Sequence, residues 1–271
     1  MAQVREPEPP VSLDDSGAQW RAIKVDRVCW RVREPYFKNT IERIVHEPDA
    51  FLRDPKLIYK DHSLATIARV PATVGDERAF VVRRLNYGRP IHRLRDLFRS
   101  SRARRAFDHG LQLERAGIRT PRVVAMGEWR RLRWPMKAYL VTEVVRGAIS
   151  VIRYFHRNAI PSRRVVYNIA DLIAGLHRAG FSHRDLKGTN ILLDNELTPW
   201  LIDLDGVRYL RNISTDRAVR DLAVLARSLR AYPVLLRWSG ARFLKKYCRA
   251  RGIESEFREF SSLLMRALER E

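Results

Sequence analysis

The chain has 271 residues, 45% of them hydrophobic and 31% charged, which is typical of a globular protein and excludes a disordered one. It carries a net charge of +21 and only two widely separated cysteines, Cys29 and Cys248, so neither a disulfide framework nor a cysteine metal site is expected. No apolar run has the length of a transmembrane helix or the pattern of a secretory signal, which predicts a cytoplasmic protein.

The first 145 residues are predicted to form a β-rich lobe. Residues 1–19, rich in Pro, Asp and Glu, are interpreted as a disordered leader, and residues 20–145 as a nucleotide-binding N-lobe. Predicted strands cover 20–33, 56–60, 66–74, 78–85, 123–126 and 138–145, with a turn at 75–77, a short helix within 38–53 and a basic loop at 128–137. A basic segment, 89–105, leads into a helix that ends at Gly117. The last five strands then make an antiparallel lobe with this helix inserted after the third.

Residues 146–271 are predicted to form a mainly helical C-lobe. In 163–179 apolar residues recur at helical spacing, and further helices are expected near 217–232 and 254–269. A small β lobe followed by a reduced helical lobe predicts an α+β, protein-kinase-like two-lobe fold.

The most informative motif begins at His183 and reads His-Arg-Asp-Leu-Lys-Gly-Thr-Asn, followed at 202–206 by Ile-Asp-Leu-Asp-Gly. Phosphoryl transfer from ATP needs one carboxylate that orients or deprotonates the acceptor hydroxyl, and oxygen ligands that hold Mg²⁺ against the phosphates. Asp185 is the predicted catalytic base, and Asn190 and Asp203 are the predicted magnesium ligands.

Neighbouring residues receive supporting roles. Lys187 is predicted to neutralise charge on the transferred phosphoryl group, with an ordinary surface lysine as the alternative. His183 and Arg184 are expected to support the loop. Whether Asp205 contacts the metal stays open. Asp221 is either an anchor beneath the catalytic loop or an acidic residue favoured at a helix N-terminus.

The nucleotide-binding residues are less clearly marked. Adenine is expected at the backbone of Glu143–Val145, in the segment that connects the lobes. In place of the usual strand lysine the chain has Arg83, with Arg84 as the off-by-one alternative and Lys60 as a possible substitute. The turn 61–65 lacks glycine, so Ser63, backbone NH groups and Lys60 would contact phosphate. Asp108, or alternatively Glu114, is the candidate carboxylate of the inserted helix.

The acceptor is predicted to be a hydroxyl outside proteins. Only 18 residues separate Asp203 from Asp221, and the chain lacks the Ala-Pro-Glu motif that closes the activation segment of protein kinases. A Ser/Thr protein kinase and a catalytically inactive kinase-like binding protein remain alternatives. The second is motivated by Arg83 and the glycine-free turn.

From about Leu57 to Leu229 the chain resembles the bacterial lipopolysaccharide core kinases, which phosphorylate heptose or Kdo sugars. The resemblance rests on 80–84, on the Ser101-Arg102-Ala103 and Gly117-Ile118-Arg119-Thr120-Pro121 motifs, and on 176–186, 202–205 and 220–223. It implies transfer from Mg-ATP to a sugar of an anionic glycolipid, at the cytoplasmic face of the inner membrane.

The charge distribution fits peripheral contact with an anionic membrane. Between Arg83 and Arg105 lie nine arginines, with Asp96 as the only acidic residue. A solvated helix face is the ordinary explanation for such a run, and a GC-rich genome, which favours Arg codons, is the ordinary explanation for the net charge. Nucleic acid is not expected as a partner, because no recognition motif accompanies the charge. The oligomeric state is not predicted.

Overall fold

The computed structural model describes residues 11–13, 19–62, 65–73, 76, 78–86, 100–131, 134–158 and 161–269, except for the side chains of 11–13 and 234–235. The chain divides into two compact units, one made of 1–108 and 122–144 and the other of 109–121 and 145–271. The predicted boundary after residue 145 is therefore close to an observed one, but 109–121 belong to the second unit.

An eight-stranded antiparallel sheet, with spatial order β1-β2-β3-β7-β8-β6-β5-β4, forms most of the first unit. Its strands are β1 (Val11–Leu13), β2 (Gln19–Val25), β3 (Val28–Arg33), β4 (Ile58–His62), β5 (Ala65–Val70), β6 (Phe80–Leu85), β7 (Val123–Arg131) and β8 (Trp134–Glu143). The helices are α1 (Asn39–His46), α2 (Pro48–Phe51) and α3 (Arg102–Arg115), and α3 continues into the second unit.

The sheet is larger than the five strands predicted, for three reasons. The single strand predicted over 20–33 is a hairpin whose turn begins at Asp26, a residue type that tolerates its φ of 53°. The prediction of a loop over 128–137 was wrong, because β7 continues to Arg131 and β8 begins at Trp134, and the two pair there with a register shift after Trp129. Val11–Leu13, assigned to a disordered leader, pair with β2 as an edge strand. Pro48 begins α2 and so divides the one helix predicted within 38–53.

The core of the first unit lies between the sheet and α1–α2. Trp30 stacks on Tyr139, with ring centroids 5.5 Å apart. Gly127 makes this packing possible, since a Cβ there would lie 2.7 Å from the Trp30 ring. Ile41 and Ile44 of α1 are fully buried against the same cluster. Alternation along β6 places Phe80, Val82 and Arg84 on this core side and Arg83 on the other.

Within the described residues, the second unit contains five whole helices, the C-terminal part of α3 and two small sheets. The helices are α3 from His109 onward, α4 (Val151–Arg157), α5 (Arg163–Arg178), α6 (Thr215–Ser228), α7 (Pro233–Arg251) and α8 (Phe257–Glu269), so α3 is shared with the first unit. Strands β10 (Phe181–His183) and β13 (Val207–Tyr209) pair with each other, and β11 (Ile191–Leu193) lies between β9 (Ile149–Ser150) and β12 (Pro199–Leu201).

Serines begin four of these helices, which explains where the chain turns into helix. Ser101, Ser150, Ser162 and Ser214 each accept a hydrogen bond from the backbone NH three residues later. Ser101, the first residue of the Ser-Arg-Ala motif, is completely buried at the start of α3. The motif thus marks a helix cap.

The predicted helices over 163–179, 217–232 and 254–269 are present with shifted ends, whereas α4 and α7 were not predicted. Pro233 occupies the first turn of α7, and Gly252 ends the helix in the left-handed conformation that glycine adopts readily. In the part of the chain that the structure describes, no helix is both long and apolar enough to cross a bilayer.

Candidate active site

The His-Arg-Asp segment lies in the second unit, between β10 and β11. His183 ends β10, and a 3-10 helix, Gly188–Asn190, leads directly into β11. Strand β12 then returns antiparallel to β11 and ends at Leu201, two residues before Asp203. This hairpin explains the spacing of the motif, because it brings the chain from Asn190 back to Asp203.

Asp221 of α6 contacts the start of the catalytic loop from the interior. Its carboxylate is 1% exposed, and Oδ2 accepts hydrogen bonds from the backbone NH of His183 at 3.0 Å and from Ser182 Oγ at 2.6 Å. Arg217, one turn earlier on α6, lies 3.2 Å from Oδ1 and balances the buried charge. The prediction that Asp221 anchors the loop is confirmed.

Ser228, two helical turns after Asp221, is a second anchor that the sequence analysis missed. Gly188 donates its backbone NH to Ser228 Oγ at 2.9 Å, and the hydroxyl donates to the carbonyl of Leu225 at 2.7 Å. Gly188 is also close to Ile152, whose Cδ1 would lie 2.9 Å from an added Cβ. The seven-residue spacing of Asp221 and Ser228, which places both on one face of α6, is the signal that was available.

Asp185 is joined to the two other polar residues of its motif. Its Oδ1 lies 2.7 Å from Lys187 Nζ, and its Oδ2 accepts from Asn190 Nδ2 at 3.2 Å. Asn190 Nδ2 also donates to the backbone carbonyl of Asp185 at 2.8 Å. Both the aspartate and the lysine side chains are about half exposed, at 47% and 50%. A carboxylate at this position is accessible to an incoming hydroxyl.

The donors of the predicted magnesium site fit that ion. The Asn190 amide nitrogen is used by Asp185, which leaves the amide oxygen as the atom that can bind a metal. Together with the Asp203 carboxylate this makes a small set of hard oxygen donors, and Mg²⁺ normally completes such a set with water and phosphate. Among the described residues, no group of three or more His, Cys, Asp or Glu side chains forms a metal cage.

The backbone around Asp203 is fixed on both sides. Asp203 has φ 63° and ψ 55°, a left-handed conformation that is uncommon outside glycine and that clusters at functional sites. Before it, Ile202 donates its NH to the Asn190 carbonyl at 2.9 Å and accepts from His183 Nε2 at 3.1 Å. After it, Leu204 accepts from His109 Nδ1 at 2.9 Å. Two histidines therefore bind the carbonyls that flank Asp203.

His109 is a further residue that the sequence analysis missed. Asp108 was selected on α3 because a carboxylate was expected there, yet its carboxylate lies 3.2 Å from Arg104 Nε, one turn earlier on the same helix. The adjacent residue, His109, contacts the Asp203 turn within the second unit. An imidazole beside a carbonyl 95 residues away leaves no pattern in the sequence.

The two arginines of β6 are in different environments. Arg84 lies 3.1 Å from Asp49, whose carboxylate also accepts from Lys137 at 2.7 Å and Tyr139 at 2.9 Å. Burial opposes ionisation of Asp49, but the hydrogen bonds from Lys137 and Tyr139 outweigh it and lower the pKa of Asp49. Arg84 is thus part of a partly buried ion cluster. Arg83 is therefore the stronger candidate of the two for the phosphate contact predicted from the sequence.

The structure places Lys60 elsewhere than expected. Lys60 is exposed and lies within β4, opposite Ile67 of β5, so the prediction that it occupies a turn was wrong. Strand β4 continues to His62, and β5 begins at Ala65. Ser63 lies outside the described residues, as do Gly75 and Glu77 of the predicted turn and most of the basic segment 89–105.

The predicted adenine segment begins at the end of β8. Glu143 accepts from Tyr36 Oη and Arg78, both at 2.6 Å. The NH of Glu143 donates to Arg122 and the NH of Val144 donates to Ala79, each at 2.9 Å. Of the three backbone NH groups in Glu143–Val145, those of Glu143 and Val144 are therefore hydrogen-bonded within the first unit. Val145 belongs to the second unit, where its carbonyl accepts from Ala148 at 3.3 Å.

Comparison with solved structures identifies the fold. A chain of WaaP in complex with acyl carrier protein matches with a TM-score of 0.60 and 22% identity, covering 86% of this chain and 97% of that one. The large antiparallel sheet and the helices are thus those of a protein-kinase-like fold, which confirms the fold predicted from the sequence.

Comparison with known sequences gives partial matches. The 3-deoxy-D-manno-octulosonic acid kinase of Vibrio vulnificus (strain YJ016) is 34% identical over 111 residues, which are 40% of this chain and 46% of the relative. CBL-interacting serine/threonine-protein kinase 24 of Arabidopsis thaliana is 36% identical over 80 residues, which are 28% of this chain and 18% of that protein. The chain therefore matches about half the length of the sugar-kinase relative and a smaller part of the plant kinase.

A family model described as the lipopolysaccharide kinase (Kdo/WaaP) family matches residues 77–247. That range is well over half of the chain and includes Asp185, Asn190, Asp203 and Asp221 as well as the strand of Arg83. The resemblance noted in the sequence is confirmed, and the chain belongs to the lipopolysaccharide kinase (Kdo/WaaP) family.

Proposed function

We propose that the protein is an ATP-dependent phosphotransferase that phosphorylates a sugar hydroxyl of the lipopolysaccharide inner core or a related lipid-linked glycan. The observation that carries this proposal is the half-exposed Asp185 carboxylate, oriented by Lys187 and Asn190 on a loop that is bonded to α6 at both ends. Membership of the family and the name of the Vibrio relative support the choice of acceptor.

In the proposed reaction the acceptor hydroxyl attacks the γ-phosphorus of ATP. A bond forms between the sugar oxygen and phosphorus, the bond to the ADP oxygen breaks, and Asp185 accepts the hydroxyl proton. Lys187 provides positive charge beside the transferred group. When bound through Asn190 and Asp203, Mg²⁺ would neutralise phosphate charge. Arg83 and Lys60 are the candidates for further phosphate contacts, and Val145 for adenine.

A glycan acceptor is favoured over a protein acceptor by the short segment after Asp203. Within 203–221 the chain forms only a 3-10 helix (Leu204–Gly206), β13 and a turn before α6 begins at Thr215. Protein kinases use a longer segment here to bind a peptide. Arg208 and Arg211 in this segment are exposed and suit an anionic sugar. The partial match to a plant Ser/Thr kinase keeps the protein-kinase alternative testable.

The test is ATP turnover by the purified protein with lipopolysaccharide core as acceptor, compared with a generic protein substrate. Acceptor-dependent turnover is expected with the glycan only.

Asp185→Ala is expected to lower kcat by about 10²–10⁴, and Asp203→Ala to abolish Mg²⁺-dependent turnover. The control is Asp54→Ala, a partly buried aspartate on the loop before β4. Phosphorylation of the protein substrate alone would select the Ser/Thr kinase. Absence of both turnover and ATP binding would select the remaining alternative, a catalytically inactive kinase-like binding protein.

A further inference from the structure

Helix α7 has one exposed face that combines a tryptophan with cations. Trp238, Ala241, Arg242, Lys245 and Arg249 are all exposed, and their spacing of three, four, seven and eleven residues places them on one side of the helix. Trp238 is 64% exposed. The face extends for about 16 Å along the helix. We call these five residues the α7 face.

Among the described residues, the α7 face is no part of the buried core of the second unit. The opposite side of the helix carries Leu244, Tyr247 and Cys248, which are buried. Tyr247 Oη lies 2.7 Å from His177 Nδ1 of α5, and its ring contacts Phe260 of α8 at 5.6 Å. The helix is therefore fixed from its inner side. A single exposed aromatic residue is ordinary, but one that shares a helix face with three cations points to a ligand.

The charged side chains of α7 all have the same sign. Residues 233–251 contain six basic residues and no acidic one. Two of the six have internal contacts, because Lys246 lies 2.9 Å from Asp171 of α5 and Arg251 donates to the carbonyl of Ile213. Arg242, Lys245 and Arg249 lie instead on the α7 face beside Trp238. The surface thus fits an extended anionic partner.

We propose that the α7 face binds the surface of an anionic lipid bilayer, with Trp238 at the level of the headgroups. Tryptophan is favoured at this level because its ring is apolar and its NH is polar. Cations flanking such a residue attract acidic lipids. A second copy of the chain fits poorly, since an isologous contact would oppose three like charges on each side. Binding through the α7 face would supply a surface for the peripheral membrane contact predicted from the sequence. Such binding does not require phosphoryl transfer.

The first test is co-sedimentation of the full chain, without ATP, with vesicles of phosphatidylglycerol and phosphatidylcholine. Binding is expected to vanish with phosphatidylcholine alone and to weaken with salt. Each cation replaced by glutamine should weaken binding about five-fold, so Arg242→Gln/Lys245→Gln/Arg249→Gln should weaken it about a hundred-fold. The matched control, Arg53→Gln/Arg258→Gln/Arg266→Gln, removes the same charge from exposed positions elsewhere. Equal loss in both triple variants would overturn the proposal.

The second test locates Trp238. Quenching of tryptophan fluorescence by lipids brominated near the headgroup should be smaller in Trp238→Phe than in the wild type, while Trp134→Phe, a control at another exposed tryptophan, should retain it. Unchanged quenching in Trp238→Phe would contradict insertion.

Turnover with detergent-solubilised acceptor separates this proposal from the proposed function, because the α7 variants should retain it and the Asp185 variant should lose it. Tight binding of an acidic protein or of single-stranded DNA through the same residues, with no vesicle binding, would reject the membrane and assign the face to that partner.

Discussion

The Asp203 turn shows how a catalytic geometry depends on single side chains. Asp203 has the left-handed backbone conformation, and the carbonyls on either side of it accept from His183 and His109. Because each histidine nitrogen faces a carbonyl oxygen, it must carry the proton. These bonds fix the backbone on both sides of Asp203, so His109 is a positioning residue.

Replacing His109 by alanine is expected to reduce Mg²⁺-dependent turnover. One hydrogen bond of this kind contributes about 1 kcal/mol, so the apparent affinity for Mg²⁺ should fall about five-fold. The amide of His109→Asn can retain the bond and should restore most of the affinity. The measurement is turnover as a function of Mg²⁺ concentration, together with hydrogen exchange at 204–206, which should increase in the alanine variant only. His46→Ala, at an exposed histidine of α1, is the control. Unchanged exchange at 204–206 would reject the role.

At the scale of the element, α6 determines where the catalytic loop lies. Asp221 binds its beginning and Ser228 binds its end, two turns apart on one face of the helix. Asp221 is the more consequential contact, since its buried charge is paired with Arg217 and bonded to Ser182 and His183.

Substitutions at these two residues should lower the free energy of unfolding by different amounts. Asp221→Ala leaves Arg217 without its buried partner and is expected to lower the free energy of unfolding by about 3–5 kcal/mol. Ser228→Ala removes the hydrogen bonds to Gly188 and to the Leu225 carbonyl, both uncharged, and should cost about 1–2 kcal/mol. Chemical denaturation measures both, with Ser262→Ala on an exposed turn of α8 as the control. Equal costs for the two variants would show that charge pairing at Asp221 is unimportant.

Helix α7 and the strands β7 and β8 differ from the sequence-based prediction for identifiable reasons. Helix α7 was missed because its exposed face carries Trp238 and Ala241, so the polar and apolar residues do not separate cleanly around the helix. The predicted strands at β7 and β8 were too short because residues 128–137 are basic, yet Lys137 pairs with Asp49 of α2, which stabilises the longer β8. Local composition could not anticipate a partner 88 residues away.

At the scale of the whole molecule, a buried histidine makes folding sensitive to acid. His177 is 2% exposed, contacts Tyr247 at 2.7 Å and lies 3.4 Å from Asp221. Burial lowers the pKa of His177 below its ordinary 6.5, and this effect exceeds the opposing effect of Asp221. Between this lowered pKa and 6.5, the unfolded chain therefore binds a proton that the folded chain does not bind.

The free energy of unfolding should consequently fall as the pH decreases through about 6.5, with a slope of at most about 1.4 kcal/mol per pH unit from this residue. In His177→Gln this part of the slope should disappear, although the variant is less stable at every pH. Urea denaturation between pH 8 and pH 5 measures it, and His46→Gln controls for an exposed histidine. A slope that survives in His177→Gln would assign the sensitivity to other groups.

The sequence by itself determined the family, the fold class and the order of the candidate catalytic residues, because the His-Arg-Asp motif and the spacing to Asp203 and Asp221 are read directly along the chain. It also located most helices, since apolar periodicity acts over a few residues. Only the tertiary structure decided that His109 rather than Asp108 contacts the Asp203 turn, that Arg84 pairs with Asp49, that Ser228 binds Gly188, and that α7 exposes Trp238 beside three cations. Each of these depends on a contact or a burial set by residues distant in the chain, and such pairings are fixed by packing.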